Sequence, residues 1–90
     1  MNPKIYGDYK EISQFAFEKV KQERKRQYEK WGEQAHTPAE WCSILAEEFG
    51  ELAKEMNEAQ WRKTDLEAMK KEAIQVATVA LVIFDMDVIE

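Results

Sequence analysis

Twelve consecutive residues, Ala73 to Phe84, carry no charge and set apolar side chains on every side of a helix. At about 100° per residue, Ile74, Val76, Val79, Val82 and Ile83 point in different directions. A membrane span needs roughly 20 apolar residues, and Gln75 and Thr78 interrupt this run. The pattern predicts a helix buried in protein, with no membrane partner. The chain has 90 residues, which predicts one small domain over 1–90. A body of that size removes only about 60% of its unfolded surface on folding. One hairpin and one flanking helix cannot cover a helix that is apolar all round. We therefore expect an all-α chain of three helices that completes a four-helix-type bundle by obligate homo-oligomerisation, foremost as a dimer.

Composition excludes several alternatives. With 44% apolar and 34% charged residues, three Gly and two Pro, the chain is too apolar for disorder and too poor in turn residues for a many-stranded β fold. A net charge of −5 argues against a nucleic-acid polymer as partner. Cys42 is the only cysteine, so neither an intrachain disulfide nor a Cys-rich zinc site is available. A lone thiol suits a reducing cytoplasm, and Met1 to Tyr6 contains no apolar signal core. A cytoplasmic protein is the expectation.

Capping signals place the helices. Ile12, Phe15, Ala16 and Val20 predict a first helix over about 8–30, apolar early and polar late, with Glu23 on the same stripe and Gly32 as its stop. Thr37-Pro38-Ala39-Glu40 is a capping box with Pro at the first helical position, opening a second helix over about 38–58. Thr64-Asp65-Leu66-Glu67 is another, opening a third over about 65–88. The short connection, Ala59 to Lys63, makes helices two and three an antiparallel hairpin.

Six carboxylates lie between Glu40 and Glu58, and most read as a solvated face. Glu48 is different: on a helical wheel it falls among Ile44, Leu45 and Leu52. Glu51 follows on the same side, Glu55 continues the line, and Glu47 sits at its margin. On the third helix, Glu72 opens the apolar run and Gln75 lies within it. Counted from the hairpin turn, Glu51 matches Glu72 in depth and Glu48 matches Gln75. Four oxygen-bearing side chains are thus expected at one level. Three carboxylates ~5–6 Å apart repel by about 3 kcal/mol per pair at an effective dielectric near 20. The level needs a counter-charge, which a proton, a Lys or Arg such as Lys54, Lys70 or Lys71, or a divalent cation can supply. Hard oxygen donors without Cys or His favour Mg²⁺ or Mn²⁺ over Zn²⁺.

Glu47-Glu48-Phe49-Gly50-Glu51-Leu52 resembles the Glu-Glu-x-x-Glu motif of the MazG-like, all-α nucleoside triphosphate pyrophosphohydrolases. The approach from Trp31 to Trp41 resembles small phage and bacterial members, and its His36-Thr37-Pro38 is similar to the His-x-Pro approach of dCTP pyrophosphatases. The resemblance spans Arg24 to Phe84. Where the family has Glu-x-x-Asp on the next helix, this chain has Glu72-Ala73-Ile74-Gln75. An amide oxygen can ligate Mg²⁺, but it carries no charge and cannot act as a base.

The resemblance implies that Glu48, Glu51 and Glu72 are metal ligands with Gln75 as a fourth, and that Glu47 is a secondary ligand or water-orienting base. It also implies a dimer or tetramer of helical bundles that cleaves a nucleoside triphosphate to monophosphate and pyrophosphate with Mg²⁺, in nucleotide-pool sanitation. His36 then touches base or phosphate; without the resemblance it is a loop residue before a cap. Trp31 either stacks on a nucleobase or closes the bundle end, and Lys54 either reaches a phosphate or is a solvated lysine. Arg24-Lys25-Arg26 reads as a solvated face or a phosphate-steering patch. Trp41 and Trp61 read as packing residues and Cys42 as a small buried one. The alternatives are a non-catalytic nucleotide-binding or interaction module of the same fold, or a plain oligomerisation module.

Overall fold

Three helices and no strand form among the described residues, 11–62 and 66–86 of this computed structural model: α1 (Gln14–Trp31), α2 (Pro38–Arg62) and α3 (Glu67–Phe84). The Ser13 hydroxyl accepts from the Ala16 N–H at 3.1 Å and caps α1. The helix therefore starts later than residue 8; Glu11 to Ser13 are not helical, and residues 8–10 lie outside the described range. At the other end Gly32 takes φ +73°, a left-handed conformation that only Gly adopts at no cost, and its N–H reaches the Tyr28 carbonyl at 2.7 Å.

The first capping box forms as the residues imply. The Thr37 N–H donates to Glu40 Oε1 at 2.8 Å, and the Glu40 N–H donates to Thr37 Oγ1 at 3.2 Å. From Pro38 the helix runs to Arg62, four residues past the expected end. Ala59, Gln60, Trp61 and Arg62 include no breaker, and an ion pair from Arg62 to Glu58 at 3.1 Å spans the added turn. Residues once assigned to the connection are thus helical. The Thr64-Asp65 half of the second capping box lies outside the described residues; α3 begins at Glu67 with Leu66 at its cap and no side-chain cap bond. It ends at Phe84, short of 88. Asp85 is a poor helix former whose charge opposes the helix C-terminal dipole.

The apolar α3 lies in the middle. It packs against α2 along one side and α1 along another, while α1 and α2 do not pack on each other. α1 runs parallel to α3, because the early residues of both line one groove and the late residues of both line another. Few side chains leave water: among the described residues only Trp41, Thr78 and Val79 are buried. Thr78 satisfies its hydroxyl on the Ile74 carbonyl at 2.7 Å. Leu81 and Phe84 of the apolar run are exposed in the single chain, as are Phe49 and Met56 of α2. Trp31 and Trp61 are exposed rather than packed, and so is Cys42. Each lies on a helix face that no other described element of the chain covers.

Candidate functional site

Glu48 and Glu51 project from adjacent turns of α2, and Glu72 and Gln75 from adjacent turns of α3. The chains run in opposite directions, so a step of three residues forward on one helix meets a step of three back on the other. Counted from the observed ends, however, Glu51 lies 11 residues before Arg62 and Glu72 five after Glu67. The expected equal depth from the turn therefore does not hold, and the packing of α2 on α3 sets the level. One oxygen from each of Glu48, Glu51 and Glu72 lies within 4.8 Å of the others. Glu48 and Glu72 are half-buried and Glu51 is exposed. The Gln75 amide closes the ring: with its nitrogen turned inward it donates to Glu48 Oε2 at 3.2 Å and to Glu72 Oε2 at 2.8 Å. That orientation is the one the local network favours. Turned the other way, the amide adds a fourth oxygen, an arrangement that a cation at the centre or a protonated carboxyl would stabilise.

No ion pair within 4.0 Å reaches Glu48, Glu51 or Glu72 among the described residues. Lys54, Lys70 and Lys71 therefore do not neutralise the cluster by direct pairing. Two of the carboxyls are harder to ionise than usual. Burial, then the charges of Glu51 and Glu72, push Glu48 above the usual carboxylate range. Glu72 is raised by burial first, then by the charge of Glu51 and a hydrogen bond to it. The donor set is all oxygen, which suits a hard divalent cation. On an octahedral Mg²⁺ adjacent ligands stand about 3.0 Å apart and opposite ones about 4.2 Å, so for one ion to take all three oxygens at least two of their pairs would have to close to about 3 Å.

A second feature comes from α1. Glu23, only 12% exposed in its side chain, accepts from Arg26 Nε at 2.9 Å and Nη2 at 2.7 Å, and from Gln27 Nε2 at 2.9 Å. The bonds from Arg26 lead in holding Glu23 below the usual range; burial opposes them and the Gln27 bond adds to them. Arg26 and Glu23 are both within electrostatic reach of Glu48. The stripe of Ala16 and Val20 continues at helical spacing through Glu23 to Gln27, and all four are half-buried. A polar residue on that continued stripe is the signal that marks Glu23, as it marks Glu48 on α2.

Between α1, the 32–37 connection and α3 lies an open groove of about 1350 Å³, bordered by Lys21, Arg24, Tyr28, His36, Trp41 and Thr78. His36 meets Trp41 edge to face, with ring centres 4.9 Å apart. Trp31 and Lys54 do not line this groove: Lys30 Nζ sits 4.8 Å from the Trp31 ring, and Lys54 is exposed on α2. Glu47 is exposed and outside the carboxylate cluster. No helix among the described residues is long and apolar enough to cross a membrane. Compared with protein-family models, curated proteins and solved structures, the chain matches none. The MazG-like resemblance accordingly rests on the motif residues themselves.

Proposed function

We propose that the chain is an Mg²⁺-dependent nucleoside triphosphate pyrophosphohydrolase of the MazG-like type, working as a homo-oligomer. The convergence of Glu48, Glu51, Glu72 and Gln75 at one level, with no lysine or arginine paired to them among the described residues, carries this reading. Mg²⁺ or Mn²⁺ held there would supply charge neutralisation for a phosphate chain and a more acidic water. Glu48, Glu51 and Glu72 hold the ion and Gln75 orients Glu48 and Glu72. Glu47, exposed one residue before Glu48, would act as a secondary ligand or a water-orienting base. The His36–Trp41 groove supports the nucleotide half of the reading. Trp41 precedes Glu48 by seven residues, two turns or about 10 Å along α2, a span suited to a nucleobase and its phosphates.

Uncovered apolar side chains support the oligomer. The bare side chains include Phe49, Met56, Trp61, Leu81 and Phe84, on α2 and α3. A second copy covering them gives α3 the apolar surroundings its sequence demands. A second reading, a non-catalytic nucleotide-binding or interaction module of this fold, is favoured by Gln75, which leaves the level one charge short of the family pattern.

Pyrophosphate release separates the two. The purified protein is offered a panel of canonical and damaged dNTPs and NTPs with Mg²⁺, with Mn²⁺ and with EDTA. Metal-dependent release, lost at least 100-fold in Glu48→Ala, is the expected result. A folded oligomer silent across the panel would leave the non-catalytic module.

A further inference from the structure

We propose that Arg26 is the residue of this chain that grips the phosphate chain of the substrate, and that Glu23 and Gln27 hold its guanidinium in place for that contact. The assignment rests on the reading of Glu48, Glu51 and Glu72 as a metal–phosphate site. It singles one cation out of the basic run Arg24-Lys25-Arg26. Glu23 occupies the Nε–Nη2 edge of Arg26 with a two-point bond, and Gln27 ties down the same carboxylate. An arginine has five N–H donors, and this bond uses one on Nε and one on Nη2. The Nη1–Nη2 edge remains, and it is the edge whose geometry matches two oxygens of a phosphate.

The anchor is unlike an ordinary surface pair. Glu23 lies in the α1–α3 seam with its side chain 12% exposed, while Arg26 is 52% exposed. The carboxylate is fixed and the guanidinium remains accessible. Such an arm loses little rotamer freedom when it binds, because its orientation is already set. It also stands within electrostatic reach of Glu48, and it borders the α1–α3 groove together with Ala73 and Ile74, the two residues between Glu72 and Gln75, rather than the His36–Trp41 groove. Neighbouring cations differ: Lys25 pairs with Glu29 and Lys21 with Glu18 at more exposed positions, and neither is held at two points.

The test uses inorganic pyrophosphate with Mn²⁺ as a calorimetric probe, alongside KM for the best substrate of the panel. Arg26→Ala should weaken pyrophosphate binding and raise KM by at least tenfold, while the metal-induced rise in melting temperature stays as in wild type. Arg26→Lys should recover only part of the loss, because it keeps the charge but not the fork. Glu23→Gln should raise KM about threefold with kcat little changed, the mark of a positioning residue. Wild-type turnover with Arg26→Ala within twofold of it in both measurements would overturn the assignment and leave the metal site standing. Absence of both turnover and pyrophosphate binding in wild type would overturn the site reading and this one with it.

Discussion

Two seams of the same small molecule treat a half-buried glutamate in opposite ways. In the α1–α3 seam Glu23 receives three hydrogen bonds from Arg26 and Gln27 and ionises more readily than usual. In the α2–α3 seam Glu48 and Glu72 share their level with Glu51, meet no paired cation among the described residues, and ionise less readily. Helix type and degree of burial are alike, so what differs is the supply of positive charge. The first seam is electrostatically complete. The second is complete only with a proton or a cation.

That contrast breaks most visibly when a cation is supplied. Mg²⁺ at ten times its Kd should stabilise the fold by about 1.4 kcal/mol, raising the melting temperature by roughly 6–10 °C for a domain this size. Glu51→Gln should shrink the rise, whereas Glu23→Gln should leave it unchanged. Melting curves that coincide with and without Mg²⁺ or Mn²⁺ would remove the distinction between the seams.

Replacing Gln75 with Asp sharpens it. A fourth carboxylate removes the inward amide donor, so the metal-free protein should melt lower. Mg²⁺ affinity by titration calorimetry should rise about tenfold, since a charged ligand replaces a neutral one.

The smallest effect is in pH. Glu48 and Glu72 have raised folded-state values, so the native state binds more protons than the unfolded one and stability falls as pH rises. The window opens at the ordinary carboxylate value near 4.3 and closes above the raised ones. Glu23 works with the opposite sign: its contribution is present above the ordinary value and fades as pH drops through its lowered one. Thermal melts of metal-free protein from pH 4 to 8 should therefore pass through a maximum and decline by a few degrees toward pH 8. Saturating Mg²⁺ should flatten that decline and leave the acid limb in place. A metal-free melting temperature that climbs steadily to pH 8 would contradict the raised values.

Local chemistry was legible in the sequence, and distant geometry less so. The Thr37–Glu40 box and the Gly32 stop involve neighbours in the chain, and both form. The convergence of Glu48, Glu51 and Glu72 was legible too, since spacing within each helix and reversal at the turn pair the two steps, but the depth count that aligned them used helix ends that the structure moves. The far end of α2 was not: Ala59 to Arg62 read as a connection, since the following box suggested a new start, yet nothing in those residues stops a helix. Trp31 and Trp61 show the other limit. Their bulk suggested packing, but whether an aromatic is covered depends on what lies opposite, and α1 and α2 do not meet. Arg26 depends likewise on how α1 lies against α3. Only Glu23, polar on a continued apolar stripe, marks that contact in the sequence.

Among the described helices, α1 packs on the hairpin along α3 alone. An element held on one side opens at a fraction of the free energy that unfolds the whole, so this chain runs on two clocks. The hairpin keeps its carboxylates assembled for as long as the fold lasts. The arm is the element expected to open first, and it bears both Arg26 and the Lys21, Arg24 and Tyr28 wall of the groove. Each departure of α1 therefore withdraws the guanidinium and unroofs the His36–Trp41 cleft in one stroke. On the proposed function, entry and release of a nucleotide would then be timed by the opening of a single helix.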